Sequence, residues 1–173
     1  MPQLEDFGGP KPTAVPVGVD QDPHLRFTRD LSRVFSRKYG FVPPSSTYHK
    51  LIKGLNGSPK MAKRLSNYFT LNEKPEKIAE KVSNAFTGGR PSVKEQRELG
   101  GVPDICPVYE ICLFHFVEDD DAIRKTYDAC KTGRLLCGEH KEQVIDCVLK
   151  FVKEHKKRKE KLLEKAKAVI QAS

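Results

Sequence analysis

Tryptophan is absent from this 173-residue chain, and aromatic residues make up only 8% of it. No platform of large rings for stacking is evident. No apolar run nears the roughly 18 residues that cross a bilayer, so no membrane-spanning segment is expected. The N-terminus lacks a basic stretch followed by an apolar one, so no secretory signal is expected either. Five cysteines are an odd number, and without a secretory context they do not suggest a disulfide framework. Helix-turn-helix and zinc-finger spacings are missing, which argues against a basic helical DNA-binding protein. What is present is globular in texture: 38% hydrophobic, 31% charged, with 12 Gly and 12 Pro. The length suits one ordinary domain or two small ones.

The formal charge is +8, which suits a polyanionic partner but identifies none. Most of the excess lies in residues 150–167, where nine basic side chains (Lys150, Lys153, Lys156, Lys157, Arg158, Lys159, Lys161, Lys165, Lys167) face three acids, Glu154, Glu160 and Glu164. A charge run of this kind reads first as the solvated face of a helix.

Met1 to Pro12 is a loop punctuated by Gly and Pro, with the look of the middle of a protein. Thr13–Val19 is a short β-branched run bounded by turn signals, expected to form a buried strand. Asp22 and Pro23 then open a helix as N-cap and first residue, with Leu25, Leu31, Val34 and Phe35 on its apolar face. Residues 41–57 are turn-rich and read as a poor place for regular structure. From about residue 73 the pattern is helical. Pro75 starts a helix with Ile78, Val82 and Phe86 on one face, ended by Thr87-Gly88-Gly89. Ser92 and Glu95 have capping-box spacing. Pro107–Glu118 is expected to be a buried central helix, left at Glu118-Asp119-Asp120-Asp121. Gly133 and Gly138 punctuate a linker before a last helix from about Glu139 to Gln171, in which Val144, Val148 and Val152 recur every four residues.

One strand followed by many helices is an unusual package, because a buried parallel strand needs neighbours. The expected fold is mainly α, with a remnant of an α/β sheet in residues 1–72 and a helical domain in residues 73–173.

Several motifs carry a family resemblance. Val15-Pro16-Val17-Gly18-Val19-Asp20-Gln21-Asp22-Pro23-His24, continuing through Arg26, Thr28, Arg29 and Asp30, resembles the strand-to-helix segment of tryptophanyl-tRNA synthetases of the archaeal and eukaryotic type. Asn84-Ala85-Phe86-Thr87-Gly88-Gly89-Arg90, Glu95-Gln96-Arg97, Leu99-Gly100-Gly101, Glu118–Asp121 and Gly133–Glu139 continue the match in order. The resemblance covers nearly the whole chain. It implies a class I aminoacyl-tRNA synthetase, a cytoplasmic ligase with ATP and Mg, tryptophan and its tRNA as ligands, homodimeric when complete. Residues 1–72 would be the C-terminal part of the catalytic domain and residues 73–173 the anticodon-binding domain.

The His-Ile-Gly-His-type signature of the first catalytic half is missing; His24, His49, His115, His140 and His155 are all isolated. A second chain carrying that half is one expectation, and the chain alone is expected to be inactive. The second signature, Lys-Met-Ser-Lys-Ser, stands here as Lys60-Met61-Ala62-Lys63-Arg64. Amino acid activation expels pyrophosphate from ATP, and ammonium groups closing on the leaving group stabilise the charge that builds there. The resemblance makes Lys60 and Lys63 catalytic and places Lys60, Met61 and Gly18 at ATP. Ala62 and Arg64 replace both serines of the motif.

The resemblance further places Gln21, Val17 and Gly18 at tryptophan, with Gly18 allowing close approach to the backbone. Arg90 and Lys141 match residues near the anticodon, although Pro91 replaces a family aspartate. A non-catalytic tRNA-binding module descended from such an enzyme is the alternative. Finally, Cys106, Cys130, Cys137 and His140 follow a Cys-x23-Cys-x6-Cys-x2-His pattern. Some family members hold an iron–sulfur cluster on four cysteines at similar spacing, and three thiolates with an imidazole also suit zinc. The alternative is that these cysteines are small buried side chains and His140 caps a helix. Cys112 and Cys147 read as core.

Overall fold

The computed structural model describes residues 8, 9 and 11–171. The expected loop at Met1 to Pro12 therefore lies largely outside the described residues. The chain divides into two compact units, Met1–Leu51 and Ile52–Ser173.

In the first unit, strand β1 (Ala14–Gly18) forms where the β-branched run favours extended backbone. A 3₁₀ turn, Val19–Gln21, leads into helix α1 (Asp22–Tyr39). Pro23 sits in the first turn, where its missing N–H leaves no bond unmade. The cap falls at Gln21, not at Asp22 as expected, and no side chain bonds there. Gly40 ends the helix at φ 68°, a left-handed backbone suited to glycine, with its amide on the Ser36 carbonyl at 2.8 Å.

Strand β2 (Ser45–His49) lies inside the stretch expected to be irregular. It pairs in parallel with β1, from Ala14 opposite Ser45 to Gly18 opposite His49. The local sequence is polar and follows Pro43-Pro44, so its strand character comes from tertiary pairing. Arg29 on α1 fixes that pairing: it donates to the Pro44 carbonyl at 3.0 Å and to the hydroxyls of Ser46 and Tyr48. β1 is not buried as expected, its residues alternating between exposed and half-buried. On α1 only Leu25 and Ser32 are buried, while Leu31, Val34 and Phe35 are exposed.

The second unit opens with an irregular segment, residues 52–72, and continues with helices α2 (Pro75–Ser83), α3 (Val93–Leu99), α4 (Pro107–Ile111), α5 (Asp120–Lys131) and α6 (Cys137–Gln171). The expected helix at Pro107–Glu118 is in fact α4 followed by a π-helical turn, Cys112–Phe116, in which Leu113 and Phe114 are exposed. Gly138 belongs to α6 instead of a linker. Ser92 caps α3, its hydroxyl accepting the Glu95 amide at 3.2 Å. Asp119 caps α5 through the Asp121 amide at 3.0 Å.

α2 and α6 form the centre. Ile78 and Val82 from one, and Val144, Val148 and Val152 from the other, are sealed from solvent together with Val108 and Ile111. Phe86, expected to extend the α2 face, lies beyond the helix and is exposed. Leu55 is part of this core, and Phe69 and Leu71 pack against it. Residues 52–72 therefore pack with the helices of the second unit.

Candidate functional site

The basic loop is built around a side chain that the sequence reading gave no role. Asn67 is buried at 4% exposure. Its Nδ2 donates to Ser58 Oγ at 2.6 Å, to the Lys60 carbonyl at 3.0 Å and to Asn56 Oδ1 at 3.1 Å, while its Oδ1 accepts the Ala62 amide at 2.9 Å. Its backbone carbonyl accepts the Leu55 amide at 2.8 Å, and the Met61 amide reaches the Ile52 carbonyl at 3.1 Å. A Cβ on Gly54 would lie 1.9 Å from Asn67 Nδ2, so glycine is required for the carboxamide to enter. A 3₁₀ turn, Lys63–Leu65, follows, closed by Ser66 at φ 48°. The segment is tied to α4 by Glu110, 2% exposed, which accepts from the Lys53 amide at 2.7 Å and from Lys53 Nζ at 3.2 Å. The backbone of Lys60 to Ala62 is thereby fixed. The side chains of Lys60, Lys63 and Arg64 are exposed and Met61 is half-buried. A set of ammonium and guanidinium groups on an anchored backbone can receive an anion such as a polyphosphate.

Within the first unit, Val17 and Gly18 end β1 half-buried, and Gln21 is exposed at the end of the turn beyond it. Gly18 has its own filling: a Cβ there would lie 2.9 Å from Asp20 Oδ1 and 3.6 Å from a Leu51 methyl. Asp22 accepts from the Tyr48 hydroxyl at 2.6 Å and pairs with Arg26 at 2.7 Å. The Tyr48 hydrogen bond, with help from Arg26, holds its carboxyl below the usual range.

Arg90 and Lys141 lie in the second unit, and both make bonds to backbone carbonyls. Arg90 Nε donates to the Gly100 carbonyl at 2.9 Å, and its amide donates to Gln96 Oε1 at 2.9 Å. Lys141 Nζ donates to the Ser83 carbonyl at 2.6 Å, satisfying an open carbonyl at the end of α2. Arg90 borders a cleft of about 400 Å3 that is also lined by Ser92, Gln96, Leu136, Glu139 and Glu142; Lys141 does not line it. The glycines before Arg90 are sterically required, since a Cβ on Gly88 would meet the Val102 carbonyl oxygen at 1.9 Å and one on Gly89 would meet Cys137 Sγ at 2.6 Å.

Cys106, Cys130, Cys137 and His140 line one small cavity with Thr87, Gly88 and Tyr109. It admits about 10 Å3, room for about one water and too little for an iron–sulfur cluster. His140 is buried and its Nε2 has no hydrogen-bond partner. Burial holds the imidazole below its usual pKa, raises that of the Cys106 thiol and pushes Cys130 up to about 11. No group of three His, Cys, Asp or Glu side chains among the described residues is arranged to hold a metal ion. The four residues share a cavity but do not fit a bound metal as they stand. Cys112 is buried, as expected of core, and Cys147 is exposed.

Residues 3–153 match the family of class I tRNA synthetases for tryptophan and tyrosine (W and Y). The chain belongs to that family. It is 45% identical to the tryptophan–tRNA ligase of Hyperthermus butylicus over 160 residues, 92% of this chain and 43% of the relative. With the ligase of Methanocaldococcus jannaschii it shares 37% over 172 residues, 98% of this chain and 46% of the relative. The crystal structure of tryptophanyl-tRNA synthetase from Aeropyrum pernix superposes with a TM-score of 0.86 at 44% identity, covering 92% of this chain and 43% of that one. The chain thus spans less than half the length of these relatives. The partial class I fold matches the expectation from the motifs, and no helix among the described residues is long and apolar enough to cross a membrane.

Proposed function

We propose that this chain supplies the pyrophosphate-side loop, part of the tryptophan pocket and the anticodon-binding helices of a cytoplasmic, ATP-dependent tryptophan–tRNA ligase. The observation that carries this reading is the Asn67-anchored loop, which fixes the backbone of Lys60 to Ala62 and leaves the Lys60 and Lys63 side chains exposed. In activation, the tryptophan carboxylate displaces pyrophosphate from Mg-bound ATP. Lys60 and Lys63 neutralise the charge that develops on the leaving group, with the Met61 backbone alongside the nucleotide. Gln21, Val17 and Gly18 face the amino acid, and Arg90 and Lys141 face the tRNA anticodon. The remainder of the catalytic fold comes from the part of the ligase that this chain does not cover, and the complete enzyme is a homodimer.

A second reading, a tRNA-binding module without catalysis, is favoured by Ala62 and Arg64, which remove both hydroxyls of the loop motif. Tryptophan-dependent exchange of pyrophosphate into ATP separates the two readings. The chain alone should give none. Mixed with the uncovered part of the Hyperthermus butylicus ligase, it should restore exchange. Robust exchange by the chain alone would overturn the claim of a missing half, and a mixture that forms a complex and binds tRNA without exchange would establish the module instead.

A further inference from the structure

The second half of α6 lies outside both the packed core and the residues matched by the family model. The matched residues end at 153, and the last sealed residue of the helix is Val152. The helix nevertheless continues to Gln171. Lys156 donates to the Glu73 carbonyl at 2.8 Å and Lys159 to Asn72 Oδ1 at 3.2 Å, which ties down its first turn beyond the core. At 100° per residue, the line of Val144, Val148 and Val152 continues through Leu162, Leu163, Ala166, Val169 and Ile170. Lys157, Arg158, Lys161 and Lys165 lie along one flank of the helix, on an arc of about 100° that begins opposite that line and also holds Glu154, spread over about 12 Å of axis. All four are exposed and have no acidic partner at ion-pair distance among the described residues, whereas Lys167 is paired with Glu164. Four such cations, three of them at four-residue spacing, present a line of charge along a rigid helix that suits the regular charges of a phosphate chain.

We propose that Lys157, Arg158, Lys161 and Lys165 form a second RNA-binding surface, which grips the tRNA phosphate backbone without reading its sequence. This rests on the reading above that the chain binds tRNA. A membrane surface fits less well: Lys159 lies in the middle of the apolar line, and that line carries no aromatic residue beyond Phe151. A second copy of this helix docked in parallel would bring like charges together.

The test measures binding of the full chain to a tryptophan tRNA transcript and to an unrelated tRNA between 50 and 300 mM NaCl. With all four residues changed to Gln, both RNAs should bind at least about tenfold more weakly at low salt. The slope of log affinity against log salt should become shallower by about 3, from about 0.7–0.9 per lost phosphate contact. Circular dichroism should show the helix retained. Changing Lys157, Lys161 and Lys165 to Arg should preserve binding, and Leu162→Ser with Ile170→Ser should not alter it.

An unchanged slope in the Gln variant would overturn the proposal. So would a loss confined to one RNA. If Leu162→Ser with Ile170→Ser instead dissolves a dimer or releases the chain from vesicles containing phosphatidylserine, and the RNA slope stays fixed in the Gln variant, the apolar line is the working face and the proposal falls. Arg90→Ala keeps the two readings apart. If it impairs binding of the tryptophan tRNA while the Gln variant does not, the anticodon reading stands and this one fails. No RNA binding by the unmodified chain at 50 mM salt would sink both.

Discussion

Lys60 and His140 show how much a single side chain's meaning depends on what surrounds it. Lys60 is exposed, but its carbonyl is gripped by Asn67 and Ser58, so its backbone is positioned before any ligand arrives. In the reconstituted ligase, Lys60→Ala should lower kcat by about a hundredfold, the size of one lost charge-stabilising donor, and leave the KM for tryptophan nearly unchanged. Steady-state exchange kinetics check this, and a change confined to KM would remove the leaving-group role. His140 carries a stability prediction. Its imidazole is held below the ordinary value of 6.5 by burial. Between the folded value and 6.5 the unfolded chain binds more protons than the folded one, so unfolding free energy rises with pH there. The contribution is complete above pH 6.5 and is lost on acidification, by up to about 1.4 kcal/mol per pH unit. Urea midpoints should therefore fall from pH 7 to pH 5, above the range where the carboxylates of Asp22 and Glu73 titrate, and His140→Leu should flatten that slope. Asn67 was not legible from sequence, because an asparagine after a basic loop looks like any polar turn residue; only Gly54, placed where a Cβ would strike it, hints at the contact.

Among the elements, α2, α3 and α6 were legible because each carries a local signal strong enough to survive tertiary context: Pro75 at a helix start, Ser92 three residues before Glu95, and valines every four residues from Val144. β2 was not, because Ser45-Ser46-Thr47-Tyr48-His49 becomes a strand only when Arg29 and β1 hold it. The π turn at Cys112–Phe116 was equally hidden, since its residues have ordinary helical periodicity and only the backbone widens. In the same way, the cysteine spacing was legible as a pattern, but the cavity it lines is small and its side chains are not arranged around a common centre. The α2–α6 contact should dominate the stability of the second unit. Ile78 is fully sealed between the two helices, so Ile78→Ala should cost about 2–5 kcal/mol, read from the urea midpoint at unchanged m-value. A cost below about 1 kcal/mol would mean that the packing described for α2 is not formed in solution.

At the scale of the whole chain, the two units differ in how much they can bury by themselves. The second has a sealed core contributed by α2, α4 and α6 and the loop residue Leu55. The first has a two-stranded parallel sheet, one helix, and a helical face on which Phe27 and Val34 are 63% and 71% exposed. Parallel sheets are stable when both faces are covered, and a two-stranded one without cover is marginal. Local opening should therefore be frequent in β1, α1 and β2 and rare in α2 and α6. Amide hydrogen exchange on the full chain measures this directly. Backbone amides of residues 14–49 should exchange at least about a hundredfold faster than those of Ile78, Val82, Val144 and Val148, a gap of about 2.7 kcal/mol in opening free energy. Adding the uncovered part of a relative's ligase should slow exchange in β1, α1 and β2 and leave the α2–α6 core as it was. Equal protection in both units before any addition would mean that the first unit is stable by itself, and the exposed face of α1 would then need no covering partner.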